Sequence, residues 1–88
     1  MASAAVLLAY ANSLEQIPVQ SSNLKAVAYQ ADFARLYVWF QPEGAKESLY
    51  AYDDISPDLF DQLVAASSKG KFLDTKIKKA GYAYTHIY

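Results

Sequence analysis

An apolar, aromatic-rich run, Leu36-Tyr37-Val38-Trp39-Phe40, is bounded by polar residues and returns after a turn as Leu49-Tyr50-Ala51-Tyr52. Successive side chains of a strand point to opposite faces. Leu36, Val38 and Phe40 therefore share one face, and Tyr37 and Trp39 the other. Gln41-Pro42-Glu43-Gly44 supplies a breaker and a residue that tolerates positive φ. The pattern predicts a β-hairpin of strands 35–40 and 48–52 joined by the turn 41–47. Residues 24–30 predict a third strand. It follows the turn Ser21-Ser22-Asn23 and reaches the hairpin through the short connection 31–34. Three sequential strands with short links make an antiparallel meander.

The pattern changes to helical spacing on both sides of the meander. Leu7, Tyr10, Ala11 and Leu14 fall on one face of a helix over residues 3–16, with Val6 and Leu8 widening the stripe. Pro18 stops it, because the residue before proline avoids the α region. Ser56-Pro57-Asp58 predicts a helix start: a capping hydroxyl, a proline suited to the first turn and an acid at the positive end of the dipole. Leu59, Phe60, Leu63, Val64 and Ala66 carry that helix over 57–67, with Gly70 as its stop. A shorter helix follows over 72–79. Leu73 and Ile77 face inward, Asp74 and Lys78 form an i, i+4 pair, and Gly81 ends it. Residues 82–88 alternate, with Tyr82, Tyr84, His86 and Tyr88 on one face. They predict either a fourth strand or a frayed tail.

Composition narrows the class. Eighty-eight residues make one domain, and with no cysteine there is neither a disulfide framework nor a thiolate metal site. Eight tyrosines and four phenylalanines are heavy packing material for a core that must carry the fold unaided. The apolar start of the chain lacks the basic residues of a signal peptide and is too short to span a bilayer. The expectation is a cytoplasmic protein with no membrane association. The net charge of −1 divides unevenly. Residues 1–61 hold three basic and eight acidic residues, net −5, and residues 62–88 hold five lysines and one aspartate, net +4.

The residues also carry a family resemblance. Ile17-Pro18-Val19-Gln20-Ser21-Ser22-Asn23-Leu24, then Ala28-Tyr29, Tyr50-Ala51-Tyr52, Ala66-Ser67-Ser68-Lys69-Gly70-Lys71-Phe72 and Ile77-Lys78 occur in an order and spacing that resembles the KTSC domain. That module is named for its place at the C-terminus of some lysyl-tRNA synthetases and also stands alone in small bacterial and phage proteins. The resemblance divides the chain into an N-terminal helical extension (1–16), a KTSC-like domain (17–82) and a C-terminal strand or tail (83–88). Through the synthetase association it implies contact with RNA. The chain departs from the pattern in the longer turn 41–47, in Asp74 for an asparagine, and in Lys78 for an arginine. Lysine lacks arginine's planar fork for phosphate.

Catalysis finds no support in the residue pattern. His86 is the single histidine and sits in a tyrosine-rich strand. Asp53-Asp54 with Asp58 and Asp61 lacks the spacing of a calcium loop, and there is no phosphate loop or nucleophile motif. The sequence therefore predicts no enzyme, no cofactor and no metal. The lysines Lys69, Lys71, Lys76, Lys78 and Lys79 are the candidate nucleic-acid contacts. Lys69 and Lys71 flank a helix junction whose amides suit an anion, and Tyr50 and Tyr52 are placed to stack bases. Tyr37 and Trp39 lie on the hairpin face away from the later helices. Either the N-terminal helix covers them, or they form a protein or homodimer interface. The reading is an α+β domain: a three-stranded antiparallel meander packed by two C-terminal helices, with a helix before it and a fourth strand or a tail after it. Two functions remain, a binding module for RNA or another polyanion and a protein-interaction module such as a small phage or bacterial regulator that binds a host protein.

Overall fold

The computed structural model describes residues 2–88; Met1, at the head of the predicted N-terminal extension, lies outside them. A five-stranded antiparallel sheet runs in chain order: β1 (Ile17–Pro18), β2 (Leu24–Gln30), β3 (Arg35–Phe40), β4 (Ser48–Tyr52) and β5 (Tyr84–His86). The three predicted strands have the expected bounds, and β5 settles the C-terminal alternative in favour of a strand. The unforeseen element is β1. Two residues ending in proline carry no strand periodicity, yet Ile17 pairs with Val27 and Pro18 with Ala26 at the sheet edge. A proline, having no N–H to give a ladder, is tolerated at an edge.

The alternation of β3 sorts the core into two layers. Leu36 and Val38 join Val27, Tyr52, Ile55, Leu63, Leu73 and Ile77 on one face. A register shift at Lys25 lets Leu24 and Val27 share that face although they are three apart, because a bulge adds one unpaired residue. Helix α2 (Pro57–Ala65) and helix α3 (Lys69–Leu73) pack there through Leu63 and Leu73. Tyr29 crosses from β2 beneath α2. Its ring stacks on Phe60 at 4.7 Å and its hydroxyl donates to the Ile55 carbonyl at 2.6 Å. Tyr37 and Trp39 point to the opposite face with Ala26, Ala28, Leu49 and Ala51, and helix α1 (Ala4–Ser13) lies on them through Leu7 and Ala11. The alanines on this face leave room for the helix to approach.

Local chemistry explains the helix ends. Ser3 caps α1, its Oγ accepting from the Val6 N–H at 3.3 Å. Ser56 caps α2 by accepting from the Leu59 N–H at 3.1 Å. α1 is shorter than the predicted 3–16 because Leu14 is already extended, and α2 stops at Ala65 rather than 67. Gly70 is not the stop of α2. Ser68 caps a new helix there, accepting from the Lys71 N–H at 3.4 Å, and Gly70 is the second residue of α3. A Cβ on Gly70 would lie 3.1 Å from both Asn23 Oδ1 and Ser21 Oγ, so the glycine lets the Ser21-Ser22-Asn23 turn approach closely without displacing either side chain. α3 then widens into a π turn over Asp74–Lys78. The Thr75 hydroxyl donates to the Lys71 carbonyl at 2.9 Å within it, a back-bond that bends helices.

Candidate nucleic-acid interface

The π turn decides where the lysines go. In a regular helix Asp74 would face Lys78. With one extra residue in the turn, Asp74 Oδ2 instead meets Lys79 Nζ at 3.1 Å. Lys78 is released and its ammonium lies 5.4 Å from the centre of the Phe40 ring, within cation–π range. The predicted Asp74–Lys78 pair is thus replaced by an i, i+5 pair.

The register of β5 assembles the aromatics. Tyr52 pairs with Tyr84 and Tyr50 with His86 across the β4–β5 ladder. Tyr50 stacks on His86 at 4.4 Å and meets Phe40 edge-on at 5.5 Å. Together with the hairpin turn these residues enclose a surface cleft of about 560 Å³. Its floor is Phe40, Tyr50, Tyr52 and Tyr84. Lys46 from the turn and Lys78 from the π turn enter its lining. Asn23 and Ser48 add polar groups, and among the described residues no carboxylate lines it.

The turn is held in place from outside. Glu47, at its end, accepts from Lys25 Nζ at 2.7 Å and from the Tyr88 hydroxyl. Those two bonds, the one from Lys25 foremost, hold the Glu47 carboxyl below its usual range. Tyr88 is thereby tied to the end of the turn. Burial, then the neighbouring Tyr50 and Tyr84, push the Tyr52 hydroxyl up to about 12 from an ordinary 10.0.

The seven predicted nucleic-acid contacts do not form one surface. Lys78, Tyr50 and Tyr52 meet in the cleft. Lys69 donates to the Ala66 carbonyl at 3.0 Å, where it caps the end of α2. Lys79 is paired with Asp74. Lys71 is exposed beside Ser68 and Thr75 in a separate depression, and Lys76 is exposed on the π turn. Of the amides at the helix junction, predicted to suit an anion, that of Lys71 is already taken by Ser68 Oγ. Tyr37 and Trp39 are 0% and 3% exposed, so the reading of them as an interface is corrected: α1 covers both. Tyr37 donates instead to Gln30 Oε1 at 2.9 Å.

Phe40, Tyr84, Lys46 and Asn23 escape a reading of the sequence. Alternation places Tyr84 beside His86, but only the β4–β5 register sets it against Tyr52. Asn23 has a local signal, its place in the Ser-Ser-Asn turn, whose packing on Gly70 delivers it to the cleft.

The sequence model of the KTSC domain matches residues 20–82. Among solved structures, the chain is similar to the crystal structure of a KTSC domain protein from Yersinia pestis. The identity is 26% over 86% of this chain and 100% of that one, with a TM-score of 0.73. No curated protein matches the chain.

Proposed function

The chain belongs to the KTSC domain family, and from that premise we propose that it is a small, non-enzymatic binding module whose ligand is RNA or another nucleic acid. One observation carries the reading. A cleft floored by four aromatic rings is lined by two lysines and by no carboxylate among the described residues. Aromatic faces stack bases and lysines meet phosphates, the two elements of sequence-tolerant nucleic-acid binding. His86, the single histidine, is stacked on Tyr50, which supports a packing role over acid–base work. Among the described residues no helix is long and apolar enough to cross a membrane, and a cytoplasmic module of a bacterium or phage is the setting we propose.

Fluorescence anisotropy with labelled RNA at low salt tests the reading. Log K should fall linearly with log salt. Lys46→Gln and Lys78→Gln should each reduce that slope by about 0.7 on a single strand or about 0.9 on a duplex, while Lys69→Gln leaves it unchanged. No binding at low salt, where a polyanion contact is strongest, would overturn it. The rival reading, a protein-interaction module, is favoured by a different surface. Phe33, 52% exposed, stacks on Tyr10 of α1 at 5.9 Å, beside the exposed Val6 one turn earlier. Under that reading Phe33→Ser abolishes capture of a partner protein and leaves RNA untouched.

A further inference from the structure

Tyr52 is 3% exposed, and its hydroxyl has no hydrogen-bond partner among the described residues. The other buried tyrosine differs: the Tyr37 hydroxyl donates to Gln30 Oε1. The Tyr52 hydroxyl itself reaches the cleft that Tyr52 lines, so its donor is available to a ligand that enters there.

Its neighbours indicate what enters. Asn23 Oδ1 already accepts from Ser21 Oγ at 3.1 Å, which leaves the amide N–H groups to spare. Lys46 and Lys78 donate only, and Ser48 adds a hydroxyl. The polar lining is rich in donors and cationic. Tyr84, 63% exposed, offers an open ring face, whereas Tyr50 is already stacked on His86. The fitting ligand has a flat ring, acceptor atoms on its edge and a negative charge. A nucleotide has all three, but in a duplex its ring faces and pairing edge are occupied.

We propose that the cleft takes an unpaired nucleotide of a single strand, its ring on Tyr84, its acceptor edge on the Tyr52 hydroxyl and its phosphate between Lys46 and Lys78. This rests on the nucleic-acid reading above and restricts it to single strands. Raised by its burial, Tyr52 stays protonated, and so remains a donor, well beyond neutral pH.

The probes are fluorescein-labelled decauridine, the same strand annealed to decaadenosine, and UMP. The expected result is that decauridine binds at least about ten times more tightly than the duplex. Tyr52→Phe, which keeps the ring, should weaken decauridine by about three- to tenfold, the loss of one hydrogen bond. Tyr84→Ala, at the surface, should weaken it by about fivefold or more. Thermal melts of both variants matching wild type separate lost contact from lost fold. If a melt falls, Tyr84→Phe, which restores the ring face, must restore binding. Equal binding of duplex and strand, UMP binding as tightly as the strand, or wild-type affinity in both variants overturns this inference and leaves the broader nucleic-acid reading standing. Absence of any binding at low salt overturns both.

Discussion

Gly70 shows how one residue links the fold to the cleft. It lies within a turn of helix where alanine would be favoured, yet the space above it is filled by Ser21 and Asn23 at 3.1 Å. The same Asn23 then lines the cleft. Two effects oppose in Gly70→Ala. The helix gains about 1 kcal/mol of propensity, and the Ser21–Asn23 pair must move by a few tenths of an ångström. The turn is at the surface and its side chains can give, so stability should change by less than about 1 kcal/mol in urea melts. The amide resonances of Ser21 and Asn23 should shift nonetheless. A loss above about 2 kcal/mol would mean that the turn is rigid and that the contact is structural alone. Sequence reading assigns Gly70 to a helix stop because glycine after an apolar run is the commonest end signal. The close approach that gives it its actual place is a tertiary fact.

At the scale of elements, α1 is a ten-residue helix with no stability of its own. It exists because Leu7 and Ala11 are buried against Tyr37 and Trp39. Deleting residues 2–16 should therefore expose Trp39, the only tryptophan, red-shift its emission and promote self-association through the bared face. An unchanged spectrum and a monomeric truncation would show that α1 does not cover the sheet in solution. The strands and this helix were legible because their patterns are local. Breakers bound strands 35–40 and 48–52, and the spacing of Leu7, Ala11 and Leu14 is helical. Two elements were not legible, each for a physical reason. β1 is two residues whose pairing with Val27 and Ala26 is entirely non-local. The π turn hides because Asp74 and Lys78 have the spacing of an ordinary helical pair, and nothing in the sequence reports the extra residue. The cleft was half legible on that account. Tyr50, Tyr52 and Lys78 were marked by type, while Lys46 and Tyr84 are brought to them by the hairpin turn and the β5 register.

For the whole molecule, a sheet with both faces covered puts an unusual load on tyrosine. Four of its tyrosines, Tyr29, Tyr37, Tyr52 and Tyr88, have hydroxyls held above the ordinary value of 10.0, in each case chiefly by burial. Asp61 adds to the rise at Tyr29 and Glu47 to that at Tyr88. A raised folded value means that the unfolded chain gives up its tyrosine protons first. Below an ordinary tyrosine value the stability tied to these groups is fully present. As pH rises through 10.0 the unfolded state ionises and is favoured, and the loss continues until the folded state ionises too, at about 12 for Tyr52. The urea midpoint should therefore be nearly flat from about pH 7 to 9 and fall steeply between about 10 and 12. Tyr52→Phe isolates one share of this. The variant loses a hydroxyl that has no protein partner among the described residues, so at neutral pH it should be as stable as wild type or slightly more so. Its alkaline fall should be shallower. A midpoint in wild type that stays level to about pH 11.5 would show that these hydroxyls ionise as freely in the folded protein as in the unfolded chain. An equal alkaline slope in wild type and variant would show that Tyr52 ionises as readily in the folded protein as in the unfolded chain.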